Sequence, residues 1–416
     1  MEAKQLIHEA CDLMDRVEPT LCALVAEPKR RRRLLAEAEM QDPSLRPFLV
    51  GVKDIVRVAG LPTQAGSTLP GRLFAGPEAT VVSRLRAAGA IVLGKTTTTE
   101  FAFTEPPPTT NPHDQRHTPG GSSSGSAAAV AAGYVPLAIG TQTVDSIVTP
   151  AAYCSVVGFK PSYGRVPADG VVPFSPAMDH VGFLARDVET IAFAAEIVFD
   201  GWRAVTESAP PAIGLPAQAH LEPVDAAARA VFDQTVATLS AAGCRVLCTD
   251  SLADTAAIAR RHRRLIAAQF ATVHHEWFSE YSDRYRPKSA ALVTEGAALS
   301  PKVIDEGVKS SARLRSSLEQ TMDDLGIDLW MSPAATGPAP RGLEAIGDPI
   351  MALPWTHAHL PVVCLPAGTA PGGLPLGIQL VGRLGTDEQL LGFARAVARS
   401  FNQAHSIPGR RPSASS

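Results

Sequence analysis

Between Thr104 and Gly133 the chain changes character twice. TEPPPTTNPHDQRHTPGGSSSG (104–125) has almost no apolar content, and SAAAVAAG (126–133) has only small side chains. A helix made of Ala, Ser and Gly brings no bulk of its own, so its neighbours can approach its backbone very closely. In Pro119-Gly120-Gly121-Ser122-Ser123-Ser124-Gly125-Ser126 the glycines let the backbone turn tightly and expose its N–H groups. The helix start that follows adds a partial positive charge, so the segment favours a nearby oxyanion or phosphate. In a compact domain, a polar loop of about twenty residues is more often functional than idle.

Two familiar uses of such a segment fit poorly. A phosphate cradle would end in Gly-Lys-Ser/Thr, and that ending is missing. Gly121 to Gly125 formally matches the G-x-S-x-G nucleophile elbow with Ser123 as nucleophile, but HDQRHTPG (113–120) cannot supply the strand that an elbow needs. A flexible Ser/Gly linker is hard to reconcile with the small-residue helix behind it.

The remaining pattern is that of an α/β protein. Residues 1 to about 38 have helical periodicity, 48–58 (FLVGVKDIVRV) read as strand, 80–89 as a helix ending at Gly89, and 90–95 as the next strand. Such alternation indicates a sheet with helices on its faces. VPLAIGTQTVDSIVTPAAYC (135–154) reads as apolar strand interrupted by Gly and Ser turns. Amphipathic helices fill 222–325, with CRVLCTD as a strand among them. DLWMSP, PVVCLPAG and PLGIQLVG read as short strands before a helix over 386–402. These readings give a helical segment over 1–45, one large domain over 46–405, and a disordered tail over 406–416.

Composition narrows the partners. At 45% hydrophobic and 19% charged, the chain is expected to be a soluble globular protein. A net charge of −3 argues against nucleic acid or an anionic membrane as partner. No apolar run reaches the ~18 residues of a membrane span, and the acid-containing N-terminal helix is unlike a secretory signal. Lys29 to Arg33 read as a solvated helix face. Six scattered cysteines without CxxC spacing read as buried small hydrophobes in a reducing compartment, so a cytoplasmic location is expected. His274-His275-Glu276 lacks metal-ligand spacing and reads as helix surface, with no metal site.

Several segments in order carry a resemblance. These are Gly51-Val52-Lys53-Asp54, Gly94-Lys95-Thr96, Gly-Gly-Ser-Ser-Ser-Gly-Ser-Ala-Ala-Ala from Gly120, and Gly140-Thr141-Gln142-Thr143 with Ser146 and Pro150-Ala151. Gly158-Phe159-Lys160-Pro161-Ser162-Tyr163-Gly164-Arg165-Val166, Leu365-Pro366-Ala367-Gly368 and Gly373 to Leu380 continue the series. Together they resemble the amidase signature family over roughly residues 50 to 395. The resemblance implies an α/β/α sandwich around a large mixed, twisted sheet, and a Ser-Ser-Lys triad. Ser146 would be the nucleophile, Ser122 the bridging serine on a cis peptide bond, and Lys53 the base. It implies no cofactor and no metal, a small-molecule amide or carbamate as substrate, and a fold often found as a dimer, so a homodimer is compatible with it.

The chemistry suits those side chains. A serine hydroxyl needs a base. A lysine serves as one only when neutral, which requires its pKa to fall by several units from ~10.4. A bridging hydroxyl can pass the proton because it donates and accepts at once. Lys95 and Lys160 are weaker candidates for the base, and Asp54 reads as ordering local backbone. Thr143, Val144 and Asp145 fall where the family forms its oxyanion site, a term worth about 3–4 kcal/mol per donor in other hydrolases. Phe101 is a candidate wall of the acyl pocket, as is Phe103, with core packing the competing reading. Trp355 reads as packing, His357 and His359 as structural histidines with satisfied hydrogen bonds, and Tyr153 and Cys154 as core.

The chain also departs from the family pattern. Val144 and Asp145 replace two small residues, Val148 and Thr149 stand where an arginine is usual, and Gln142 stands where an aspartate or asparagine is usual, a change some family members share. A backbone that needs positive φ would strain Val144, and an inward Asp145 carboxylate would repel an oxyanion. Two other readings stand beside the hydrolase, the first because the family includes it and the second because of Val144 and Asp145. One is a glutaminase-type subunit of a tRNA-dependent amidotransferase, and the other is a weakened or non-catalytic binding relative.

Overall fold

Neighbouring residues on the central strands feed different cores, which defines the architecture. The computed structural model describes residues 3–205 and 210–405, so the expected tail over 406–416 lies outside the described residues. In chain order the strands are β1 (Phe48–Lys53), β2 (Ala90–Thr96), β3 (Leu137–Gln142), β4 (Val157–Lys160), β5 (His180–Ala185), β6 (Ala212–Leu215), β7 (Arg245–Cys248), β8 (Leu329–Pro333), β9 (Val362–Thr369) and β10 (Pro375–Val381). They form one sheet in the order β2-β1-β3-β5-β4-β9-β10-β8-β6-β7. The β2-β1-β3 and β8-β6-β7 wings are parallel, and the strands between them pair antiparallel.

On β1, β2 and β3 the side chains of Val50, Val52, Val92, Leu137 and Ile139 enter one buried cluster. Leu49, Ile91, Leu93 and Ala138 enter the other, as expected of period-two strands buried on both faces. Helices Thr80–Ala87, Val188–Val198, Ala226–Ala241 and Asp387–His405 contact the first face. The second carries Ala3–Leu21, Arg30–Glu39, Ser124–Ala131 and Val148–Cys154. This is the α/β/α sandwich around a mixed sheet.

The first two helices share the second core with β1 and β2, so no packing break sets residues 1–45 apart. The basic run is also more than a solvated face. Arg33 reaches the carbonyls of Val92 and Leu93 on edge strand β2 at 3.1 Å each, while Glu27 pairs with it. The cysteines are unpaired; Cys11, Cys154 and Cys364 are buried as expected, but Cys248 is exposed. Among the described residues no helix is long and apolar enough to cross a membrane.

The small-residue helix packs as its sequence implies. Every residue from Ser124 to Val130 is buried. A Cβ on Gly125 would collide with the Ala23 carbonyl and with the Thr97 backbone and hydroxyl. Close approach here fixes Ser122 and Ser123, at the helix start, against the C-terminal ends of β1, β2 and β3. Ligand sites in α/β sheets commonly lie at those strand ends.

Candidate active site

Lys53 is the last residue of β1, and it is fully buried. Its Nζ lies 2.7 Å from Ser122 Oγ, 2.8 Å from Thr141 Oγ1 and 3.3 Å from the Thr141 carbonyl. Burial pushes the lysine pKa well below its ordinary range, and the carboxylates of Asp179 and Asp145 pull it back only in part. Ser122 follows a cis Gly121–Ser122 peptide bond, as the resemblance implied. Its carbonyl is held by Thr98 Oγ1 at 3.0 Å.

Ser146 stands in the turn between β3 and helix Val148–Cys154, and it is buried but for a small exposed part. The two serine segments are joined through backbone, Ser123 N donating to the Ser146 carbonyl at 3.3 Å. The Ser146 hydroxyl makes no hydrogen bond among the described residues, so the Ser122–Ser146 link of the expected triad is open here. Catalytic hydrogen bonds are often long in ligand-free enzymes and tighten with substrate.

The turn itself is pinned at many points. Gln142 Oε1 accepts from the amides of Ile147 and Val148 at 2.8 and 3.0 Å. Helix starts leave such amides without partners, and Gln142 supplies one. Residues 148–154 are helix, where the sequence read as strand interrupted by turns, and the Gln142 acceptor stabilises the start of that helix. Gln142 Nε2 donates to Thr356 Oγ1 at 2.8 Å, and that hydroxyl donates to the Val144 carbonyl at 2.6 Å. Thr143 Oγ1 donates to Asp179 Oδ1 at 2.6 Å, while Asp179 accepts from the amides of Phe174 and Ser175.

Of the departures from the family pattern, Val144 and Asp145 cause little conflict. Neither Val144 nor Asp145 has a positive φ, so the valine is not strained. Asp145 accepts from Thr149 Oγ1 at 2.7 Å, which draws its carboxylate toward helix Val148–Cys154. Burial pushes its pKa up to about 7, with the Thr149 hydrogen bond lowering it and the charge of Asp348 raising it. Among the described residues the amides of Val144 and Ser146 donate to no protein acceptor.

Other expected residues lie elsewhere. Phe101 packs in an aromatic cluster with Phe74, Phe270, His274 and Tyr285. His274 belongs to that cluster and bonds Tyr285 Oη at 2.8 Å, which corrects its reading as helix surface; His275 and Glu276 are exposed. Lys95 is ion-paired to Asp54 at 2.8 Å with both groups buried, and Asp54 also accepts from the Gln64 amide. Lys160 donates to the Leu360 carbonyl. Among the described residues no cluster of acids, histidines and cysteines could hold a metal.

The sequence reading missed Asp179, Thr356 and His262, all of which hold the turn. His262 sits among arginines in RRHRR and looks like surface. Its register was the available signal, because it falls on the same helix face as Ile258, Leu265 and Ile266.

A family model described as Amidase matches residues 5–391. The chain belongs to the amidase family. Among relatives of this family member, a glutamyl-tRNA(Gln) amidotransferase subunit from Symbiobacterium thermophilum is 30% identical, over 95% of this chain and 93% of its own. A solved structure titled crystal structure of amidase aligns with TM-score 0.86 at 29% identity, over 97% of this chain and 96% of that one. The peptide amidase PAM, solved with the competitive inhibitor chymostatin, aligns with TM-score 0.82 at 26% identity, over 97% and 95%.

Proposed function

We propose that this amidase-family chain hydrolyses a carboxamide, carbamate or related C–N bond of a small molecule through a seryl acyl-enzyme, with Ser146 as nucleophile, Ser122 as relay and Lys53 as base. The observation that carries this reading is the fully buried Lys53 amine held 2.7 Å from Ser122 Oγ. A neutral amine has a lone pair to receive the Ser122 proton while Ser122 receives that of Ser146. Ser146 Oγ then bonds the substrate carbonyl carbon, and the negative charge that collects on oxygen meets the amides of Val144 and Ser146. As the C–N bond breaks, the proton returns through Ser122 to the departing nitrogen. Water deacylates the serine by the same relay in reverse.

Asp145 drawn toward Thr149 and the absence of positive φ at Val144 favour an active enzyme over a disabled relative. A cytoplasmic setting suits the unpaired cysteines. The reading is tested with a panel of acyl p-nitroanilides, primary amides and aryl carbamates, comparing the unmodified chain with Ser146→Ala. Turnover of at least one class, lost in the variant while the fold is retained, is expected. Equal turnover by both proteins would remove Ser146 as nucleophile.

A further inference from the structure

Behind the nucleophile turn, three helices bring together groups that the proposed chemistry does not use. His262 (helix Thr255–Tyr281) places Nε2 3.1 Å from the Thr143 carbonyl and Nδ1 3.1 Å from His357 Nδ1. His357 (helix Leu353–His357) places Nε2 3.1 Å from Ser310 Oγ, on helix Lys302–Leu325. Arg261 Nε donates to that same Ser310 oxygen at 2.9 Å. Both histidines are fully buried.

One proton arrangement satisfies every contact. A carbonyl only accepts, so His262 must carry its proton on Nε2 and accept at Nδ1. His357 must then donate from Nδ1 and accept at Nε2, where the Ser310 hydroxyl donates. Ser310 in turn accepts from Arg261, whose guanidinium is always charged. All donors along the chain therefore point toward Thr143. Burial holds both imidazoles neutral, with His262 lowered to about 4 and His357 further still, so the arrangement persists at neutral pH.

The Thr143 carbonyl and the Val144 N–H are two ends of one peptide group. A donor on the oxygen draws charge through the amide and strengthens its N–H as a donor, the cooperative effect known in hydrogen-bonded chains. We propose that His262, set by His357, Ser310 and Arg261, is a positioning residue that holds and polarises the Thr143–Val144 peptide for the oxyanion. The proposal rests on the reading of Ser146 as nucleophile.

Two measurements on the full chain test it. Long-range 15N–1H spectra of the histidine rings should show His262 protonated on Nε2 and His357 on Nδ1; the opposite tautomer at His262 would overturn the relay. Second-order rates of labelling by a fluorophosphonate should fall about tenfold in His262→Phe, and His262→Gln should recover to within about threefold of the unmodified chain because its amide can donate from the Nε2 position. Labelling of His262→Phe within twofold, or equal damage in both variants, would overturn it. The unmodified chain's own labelling reads the Ser146 assignment separately, and the tautomers are read without any reaction.

Discussion

Lys53 Nζ and Ser122 Oγ meet at 2.7 Å, one delivered by the end of β1 and the other by the turn into helix Ser124–Ala131. The other hydrogen-bond partners of the amine are the hydroxyl and carbonyl of Thr141. All three partners are neutral, and a buried ammonium without a close counter-ion is strongly disfavoured.

Lys53→Met should therefore abolish turnover, by about a thousandfold or more, in a protein that still folds. The lysine's folded pKa is lowered, so the unfolded chain binds the extra proton between that pKa and the ordinary lysine value of 10.5. Stability consequently rises with pH across that window. Denaturant unfolding of Lys53→Met at several pH values should show this slope flattened. An unchanged slope would mean that the lysine is charged in the folded protein.

Asp145→Asn should move the acid limb of the rate profile to lower pH. The Asp145 carboxylate favours protonated Lys53, so removing its charge makes the amine easier to deprotonate. A kcat/KM profile over pH 5–9 (about two units either side of neutrality) checks it, and a shift to higher pH would contradict the electrostatic account.

Gln142→Leu would leave the buried amides of Ile147 and Val148 without their acceptor. A loss of about 2–4 kcal/mol of stability is expected in denaturant titration, along with a fall in kcat greater than any change in KM. Thr356→Val removes one donor to the Val144 carbonyl and should cost about 1 kcal/mol.

Gly125→Ala should fail by overpacking, because the new methyl meets backbone of Ala23 and Thr97. Overpacked cores typically lose about 1–3 kcal/mol; thermal unfolding would show a lowered midpoint. A neutral result would mean that the small-residue helix is not held tightly.

The readable parts of this chain were those whose physics is local. Strand β2 and the helix before it follow period and a terminal glycine, and Gly89 has φ +101° as a helix end requires. The meeting of Lys53 with Ser122, and the cis bond before Ser122, could be expected from the ordered motifs of the resemblance. Helix Val148–Cys154 was not; its start is capped by Gln142 Oε1, and the Gln142 side chain is itself bonded to Thr356 from a distant segment. Phe101 and His274 gave no sign that they would pack together, because that contact joins distant segments. Asp179 and His262 hold Thr143, ahead of Ser146, from the β5 side and from a central helix, and only the fold brings them to it.

The most direct measurement is mass mapping of the full chain after reaction with a fluorophosphonate, beside Ser146→Ala. The account predicts one adduct per chain, on Ser146, and none in the variant. An adduct on Ser123, or no adduct in a folded protein that retains Lys53 and Ser122, would contradict the assignment of Ser146 as the activated serine.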